Sequence, residues 1–302
     1  QKKILARMKE MGMKPVLPGY CGMVPHDAKE RLGLNVTDAG KWNGYQRPAN
    51  LSPTDSRFTE IADLYYKELT KLYGKSDFYS MDPFHESGDD AAVDYAKAGQ
   101  ALMSAMKRAN PKAVWVVQGW NENPRPQMIE DLKVGDILVL DLFSECRPMF
   151  GGPSILKRDG GYGKHQWLFC MLENFGGNVG LHGRMDQLLN NFYLATGKKG
   201  ENNHNSETLK GWGFTMEGSE NNPVMFELMS ELPWRAEKTT KEDWLKEYCY
   251  ARYGVHDATI EKAWALLAQS IYNCPVGNNQ QGTHESIFCG RPSLNNFQVS
   301  SW

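Results

Sequence analysis

The sequence predicts an α/β protein: a (β/α)8 barrel followed by the start of an all-α domain. Two observations predict the α/β class: short continuous apolar strands recur along the chain, and helices separate them. A third favours the barrel, because polar and aromatic residues follow the strand ends, where barrel enzymes build their sites. These residues are Cys21, Glu86, Trp120, Glu145, Asn174 and Glu217.

Six apolar runs are typical of buried parallel strands, and amphipathic segments between them predict helices. An open doubly wound sheet fits the same pattern, but no Gly-x-Gly-x-x-Gly motif follows a strand, which argues against dinucleotide binding. Thr54 is the expected N-cap of the second helix, and Gly12 and Gly74 are expected at helix ends. The predicted strands are 13–17, 78–81, 113–118, 137–142, 167–172 and 209–214, and the predicted helices are 1–12, 54–73, 89–110, 126–132 and 185–195.

The pattern changes near Pro233, after which 241–253 and 258–272 both predict amphipathic helices with no strand between them. We therefore expect a catalytic barrel over 1–238 and a helical domain that begins at 239 and is truncated at 302. Because the chain opens on a helix, we expect the barrel to lack its N-terminal strands. An incomplete barrel leaves strand edges unpaired, so the chain alone should be poorly stable and weakly active.

Composition excludes several functional classes. The chain has 302 residues with 41% hydrophobic and 23% charged residues, which is ordinary for a globular protein. A net charge of -2 gives no reason to expect nucleic acid or an anionic membrane as partner, and no apolar run predicts a membrane span. We expect no signal segment within this chain. The six cysteines permit disulfides without demanding them, and neither they nor the histidines have the spacing of a metal site.

Asp82-Pro83-Phe84-His85-Glu86 is the first candidate for chemistry, because it places acidic and imidazole groups directly after a strand. A glutamate near aromatic walls can have its pKa raised by desolvation and then act as an acid near neutral pH. The alternative is a solvated loop ahead of a helix.

Glu217 is the second candidate, a lone acidic residue between apolar neighbours and Gly218. Such a carboxylate suits a nucleophile that attacks an anomeric carbon. An exposed turn glutamate is the alternative.

Three further segments have weaker signals. Trp120 follows a strand and could stack under a sugar ring, or could instead seal the rim of the barrel. The run 172–178 contains asparagines whose amides can bind hydroxyl or acetamido groups, although a plain glycine-rich turn fits equally. Cys21 is more typical of a small buried hydrophobe than of a nucleophile.

Taken together, these segments resemble glycoside hydrolase family 89, the α-N-acetylglucosaminidases, from the first residue to about Cys274. Many motifs in the family's order make the resemblance specific. The motifs are Val16-Leu17-Pro18, Gly22-Met23-Val24-Pro25, Asn35-Val36-Thr37, Trp42, Asp82-Pro83-Phe84-His85-Glu86, Trp115-Val116-Val117-Gln118-Gly119-Trp120, Leu138-Val139-Leu140-Asp141-Leu142-Phe143-Ser144-Glu145, Cys170-Met171-Leu172-Glu173-Asn174-Phe175-Gly176-Gly177-Asn178, Met216-Glu217-Gly218, Arg252-Tyr253-Gly254-Val255 and Tyr272-Asn273-Cys274.

The resemblance implies a retaining exo-glycosidase that removes terminal α-linked N-acetylglucosamine without a cofactor. Glu86 would be the general acid/base and Glu217 the nucleophile, with the two carboxyl groups about 5 Å apart. It also implies an N-acetylglucosamine-terminated glycan as substrate, with contacts from Trp42, His85, Trp120, Leu142, Leu172 and Phe175. One position departs from the family, which often has asparagine where this chain has His85, although histidine can also donate a hydrogen bond there.

Two other functions remain open at this point. A non-catalytic glycan-binding module, or an inactive fragment of such an enzyme, would keep the tryptophans without needing both carboxylates. A β-glycosidase on another barrel would also place two carboxylates after strands, although the order of motifs argues against it. Because enzymes that trim glycans usually act outside the cytosol, we expect a periplasmic, secreted or lysosomal location.

Overall fold

The computed structural model describes residues 1–84, 93–151, 161–173, 181–197, 206–218, 222–274 and 294. Within these ranges the strands are β1 (Val16–Pro18), β2 (Met23–Val24), β3 (Val36–Asp38), β4 (Lys41–Trp42), β5 (Tyr45–Gln46), β6 (Ala49–Leu51), β7 (Phe78–Ser80), β8 (Val114–Gly119), β9 (Ile137–Asp141), β10 (Gln166–Met171) and β11 (Leu209–Phe214). The helices are α1 (Lys2–Glu10), α2 (Ala28–Leu32), α3 (Phe58–Tyr73), α4 (Tyr95–Ala109), α5 (Pro126–Ile129), α6 (Met185–Ala195), α7 (Pro223–Glu231), α8 (Lys241–Tyr253) and α9 (Ala258–Gln269).

Six strands form one sheet in the order β1-β7-β8-β9-β10-β11, and the pairs β1–β7, β7–β8 and β10–β11 are parallel. Apart from the short strands β2 to β6, neighbours in this sheet are also successive along the chain. A doubly wound sheet reverses its strand order at a switch point, whereas this order never reverses. The sheet is therefore the parallel wall of a (β/α) barrel. All six predicted strands are present, with bounds that shift by at most one residue except at β1, which begins three residues later than predicted.

Two compact units make up the chain: residues 1–140 with 162–166, and residues 141–161 with 167–302. In the first unit, the segment after β1 forms two small antiparallel sheets that the sequence did not predict. Strands β2, β6 and β3 pair in that order, and β4 and β5 form a hairpin. Asn43 and Gly44 have φ values of 48° and 82°, as a type I′ turn requires.

Helix α3 packs in the first unit through Phe58, Ala62, Tyr66 and Leu69, which recur every three or four residues. Gly74 follows its last turn as predicted, with φ 82°. Helix α1 ends at Glu10, two residues earlier than predicted, with Met11 rather than Gly12 as its C-cap.

The prediction of Thr54 as the N-cap of α3 is wrong, because the helix begins only after Arg57. The Ser52 hydroxyl accepts a hydrogen bond from the Thr54 N–H at 3.3 Å, and the Asp55 carboxylate accepts one from the Arg57 N–H at 2.8 Å. These short-range bonds hold a turn where the helix would otherwise have started.

A buried turn follows β9 in the second unit, and every residue from 141 to 150 is buried. Helix α6 follows later in the second unit and buries Leu188, Leu189 and Phe192. Helix α7 was not predicted, although Pro223 at its first turn and the buried residues Val224 and Leu228 are helical signals.

The two C-terminal helices α8 and α9 have ordinary N-caps. Thr240 accepts a hydrogen bond from the Asp243 N–H, and Asp257 accepts bonds from Thr259 and Ile260. No helix among the described residues is long and apolar enough to cross a membrane. The cysteines in the described ranges are free thiols: Cys21, Cys146, Cys170, Cys249 and Cys274.

Candidate active site

The segment that carries Glu217 leaves the sheet at the carboxyl end of β11, the end at which barrel enzymes place their catalytic groups. Thr215, two residues earlier, anchors this segment twice. Its N–H donates to the Met171 carbonyl at 3.0 Å, and its hydroxyl donates to the Leu142 carbonyl at 2.7 Å. The path of the chain toward Glu217 is therefore fixed by one backbone and one side-chain hydrogen bond.

Glu217 itself is exposed, and its neighbours Phe214 and Met216 are each also exposed to a substantial degree. The carboxylate therefore does not bear the desolvation cost that apolar neighbours in the sequence suggested. An exposed carboxylate on an anchored segment can approach a ligand from solvent without a rearrangement of the core.

Trp42 lies on the β4–β5 hairpin, directly opposite Tyr45. Its side chain is 52% exposed, so its aromatic face is open to solvent. An exposed indole held on a tight hairpin can stack against the C–H face of a sugar ring.

The other three predicted contact residues in the described ranges are buried. Trp120 is only 8% exposed and forms a backbone bridge with Asn123. Leu142 and Leu172 are buried, and both form hydrogen bonds through their backbones. The Leu142 carbonyl accepts from the Thr215 hydroxyl, and the Leu172 N–H donates to the Glu145 carboxylate.

Glu86, His85 and Phe175 lie outside the described residues. The residues just before Glu86 are tied to the first unit, since the Asp82 carboxylate accepts a hydrogen bond from the Gln118 N–H at 2.8 Å. The Trp115 indole also donates to the Met81 carbonyl at 2.9 Å. The chain is therefore held in place until shortly before the predicted acid.

Glu145, Glu173 and Arg184 form a cluster of buried charged side chains that the sequence did not predict. Glu145 is fully buried, and Glu173 and Arg184 are each only 1% exposed. Two oxygens of Glu145 accept hydrogen bonds from the Leu172 N–H at 3.0 and 3.2 Å, and Oε1 accepts one from the Glu173 N–H at 2.6 Å. The Arg184 guanidinium lies 5.9 Å from the centre of the Phe143 ring.

Both carboxyl groups of this cluster have raised pKa values. Burial raises the pKa of Glu145 to about 7, although the Glu173 and Leu172 N–H groups and Arg184 act to lower it. Burial, and after it the charge of Glu145, raise the pKa of Glu173 well above its ordinary value, and Arg184 offsets this only in part. Glu145 appeared in the sequence only as a polar residue after a strand. An acidic side chain inside the apolar run 138–146 was the available signal for its burial.

Cys21 is half-buried, and the raised pKa of its thiol does not favour action as a nucleophile. Desolvation raises the pKa of its thiol, and the Asp82 carboxylate raises it further. Within the described ranges, no three histidine, cysteine, aspartate or glutamate side chains come together as metal ligands would.

Comparisons with known proteins agree along the whole chain. The family model described as the α-N-acetylglucosaminidase (NAGLU) tim-barrel domain matches residues 1–236, and the model of the C-terminal domain of the same family matches residues 244–301. Human α-N-acetylglucosaminidase is 32% identical over 320 residues, a match that takes in 100% of this chain and 41% of the human protein.

Solved structures of a family 89 glycoside hydrolase from Clostridium perfringens are also similar. The complex with 2-acetamido-1,2-dideoxynojirmycin matches with a TM-score of 0.82 and 32% identity over 99% of this chain and 33% of that chain. A form with two glutamate-to-glutamine substitutions, in complex with its substrate GlcNAc-alpha-1,4-galactose, matches with a TM-score of 0.83. The chain thus spans well under half the length of these relatives. Because the barrel model covers most of its residues, this chain belongs to glycoside hydrolase family 89, the α-N-acetylglucosaminidases.

Proposed function

We propose that this chain forms the catalytic core of a retaining exo-glycosidase that hydrolyses terminal α-linked N-acetylglucosamine. Membership of the family carries the proposal, and the anchored, exposed position of Glu217 after β11 supports it. The Clostridium relative takes a disaccharide with this sugar α-linked to galactose, so an α-linked N-acetylglucosaminide is the substrate class to test.

In the proposed mechanism, Glu86 protonates the glycosidic oxygen while the Glu217 carboxylate attacks the anomeric carbon. The glycosidic bond breaks, and a bond forms between a Glu217 oxygen and the sugar, which gives a β-linked glycosyl-enzyme. Glu86, now ionised, takes a proton from a water molecule, whose oxygen attacks the anomeric carbon. The bond between the sugar and Glu217 breaks, which restores the Glu217 carboxylate and releases the sugar in its original α configuration. Two carboxyl groups complete this cycle without a cofactor.

Trp42, Trp120, Leu142, Leu172, His85 and Phe175 are proposed to surround the sugar. Trp42 is the member whose exposed ring supports direct stacking. Buried Leu142 and Leu172 support the site through backbone hydrogen bonds. The Leu142 carbonyl accepts from Thr215, and the Leu172 N–H donates to Glu145.

We also propose the domain division 1–238 and 239–302, with α8 and α9 as the opening helices of the second domain. The substrate class supports an extracytosolic site of action, where terminal sugars of glycans are exposed. Neither proposal is needed for the chemistry of Glu86 and Glu217.

The test is turnover of an aryl α-N-acetylglucosaminide by the complete natural protein and its variants. Glu217→Gln should abolish turnover, because an amide cannot act as the nucleophile, while Glu207→Gln is the matched control. Glu207 is an exposed glutamate just before the other end of the same strand, so its variant should keep wild-type activity. Activity that survives Glu217→Gln contradicts the assignment, and tight sugar binding without turnover by the wild type supports a binding module instead.

A further inference from the structure

Side chains satisfy three backbone groups of the buried turn after β9: the Met149 N–H and the carbonyls of Asp141 and Ser144. A buried loop needs such partners because its backbone cannot reach water. The Asp141 carboxylate accepts from the Met149 N–H at 2.9 Å, and the Ser144 hydroxyl donates to the Asp141 carbonyl at 2.9 Å. Asn191 on α6 donates to the Ser144 carbonyl at 2.9 Å. With these bonds made, the carboxylate of Glu145 is directed at the next loop of the sheet.

Glu145 holds the first two residues after β10, Leu172 and Glu173. Its three hydrogen bonds join both carboxylate oxygens to two successive N–H groups, those of Leu172 and Glu173. Glu173 has φ 52°, a left-handed conformation that is uncommon for a residue other than glycine and persists only where its surroundings enforce it. An ionised carboxylate is suited to this position, because it accepts hydrogen bonds at both oxygens and donates none.

Glu173 lies in the same buried cluster but lacks such bonds. Neither of its carboxyl oxygens has a hydrogen-bond partner among the described residues, and both atoms are buried. Arg184 is the cation that acts on both carboxyl groups. Two ionised carboxylates in one buried site repel each other, and the one without hydrogen bonds is the more costly to ionise.

The other titratable groups near the pair do not change this balance. The Cys146 thiol has its pKa raised to about 11 by burial, so it is neutral, and the phenol of Tyr272, with its pKa raised by burial, is neutral too. Arg147 is nearly buried and interacts with Cys146 and Arg184.

We propose that Glu145 and Glu173 form a carboxyl pair that retains one proton, on Glu173, while ionised Glu145 is a positioning residue for the backbone of Leu172 and Glu173. The pair titrates as a unit, so Glu145 loses its proton first and Glu173 keeps its own to higher pH. The consequence for catalysis rests on the proposed function, in which Leu172 is one of the residues proposed to surround the sugar. Glu145 acts on the sugar only through the backbone of Leu172.

The test compares wild type, Glu145→Gln and Glu173→Gln in the complete natural protein above about pH 7, where Glu145 loses its proton. The first readout is the infrared carbonyl stretch of a buried protonated carboxyl group, which needs no substrate. Glutamine closely mimics a protonated glutamate, so Glu173→Gln should remove this band and leave the melting temperature close to that of wild type. A band that persists in Glu173→Gln, or that only Glu145→Gln removes, overturns the proposal.

The second readout is hydrogen–deuterium exchange in the peptide that contains Leu172 and Glu173. Glu145→Gln should accelerate exchange there, whereas Glu173→Gln should not, since glutamine at 145 offers one acceptor oxygen where the carboxylate offers two. Unchanged exchange in Glu145→Gln contradicts the positioning role.

The third readout is kcat/KM, which should fall about 10-fold or more in Glu145→Gln, mainly through KM, and stay within about twofold in Glu173→Gln. Equal losses in both variants contradict the proposed roles. If the wild type shows no turnover while the infrared and exchange results are as expected, the proposed function fails and the carboxyl pair stands. Because Glu173→Gln alone decides where the proton lies, the proposal remains falsifiable even if Glu145→Gln does not fold.

Discussion

Replacing Thr215 by valine tests whether the hydroxyl that anchors the Glu217 segment contributes to catalysis. Valine matches threonine in shape but cannot donate the 2.7 Å hydrogen bond to the Leu142 carbonyl. The Thr215 N–H bond to Met171 remains, so the segment keeps one of its two anchors. We expect Glu217 to gain freedom and the productive geometry to be less populated.

The magnitude follows from the hydrogen bond that is lost. A hydrogen bond of this kind contributes about 1 kcal/mol, and leaving the buried Leu142 carbonyl without its partner adds about 1 kcal/mol more. A loss of about 2 kcal/mol corresponds to a fall in Tm of about 4–8 °C for a domain of this size. If about 1.4 kcal/mol of the loss falls on the transition state, kcat/KM drops about tenfold.

The assay combines thermal melting with turnover of an aryl α-N-acetylglucosaminide, and two controls separate stability from catalysis. Thr215→Ser keeps the hydroxyl and should stay close to wild type in kcat/KM. Thr196→Val removes a comparable hydroxyl bond, to the Phe192 carbonyl at 2.9 Å, and should lower Tm without changing kcat/KM. The reasoning is refuted if Thr215→Val lowers Tm as Thr196→Val does but keeps full activity.

Three further predictions concern packing, pH and sugar contact. Gly119→Ala should destabilise the protein by about 1–3 kcal/mol in denaturant unfolding, because a Cβ there would lie 2.2 Å from the Tyr162 hydroxyl oxygen. Gly213→Ala is the control and should be tolerated, because the nearest atom to its Cβ would lie 3.5 Å away. Equal stability of the two variants would contradict this prediction. The pKa of Glu145 is raised to about 7 in the folded state, so between about pH 4.5 and 7 the folded protein binds a proton that the unfolded chain has lost. The unfolding free energy should therefore fall by up to about 3 kcal/mol as pH rises across this range. That part of the slope should be missing from Glu145→Gln, and an unchanged slope would show that Glu145 does not titrate there. Trp42→Ala should raise KM while Tm stays nearly unchanged, because the ring is exposed; a large loss of Tm with unchanged KM would identify a purely structural residue.

The main sheet of the fold was predictable from the sequence because its strands are continuous apolar runs. Helices α6 and α8 were predicted with their observed bounds, since their apolar residues recur with helical spacing. The five strands after β1 were not predictable in this way, because each has only two or three residues. The pairing of β2, β6 and β3 also depends on partners distant in the sequence. The start of α3 was misplaced for a local reason, the hydrogen bonds of Ser52 and Asp55.

The site was predictable to a smaller extent. Motif order indicated Glu217, but local pattern did not predict that Thr215 would anchor it through bonds to residues far away in the sequence. The pairing of Glu145 with Glu173 depends on two loops separated by a strand, so spacing along the chain contains no sign of it. Charge burial of this kind becomes visible only once the sheet brings the loops together.

Chemical rescue tests most directly the central claim that Glu217 is the nucleophile of a retaining α-N-acetylglucosaminidase. In Glu217→Ala, the space left by the carboxylate can admit azide. The azide then attacks the anomeric carbon of an activated aryl α-N-acetylglucosaminide from the side on which the carboxylate lay. We expect turnover to be lost in the variant and restored by azide, with the β-glycosyl azide as product by NMR. Turnover at the wild-type rate without azide, or an α-glycosyl azide as product, would contradict the claim.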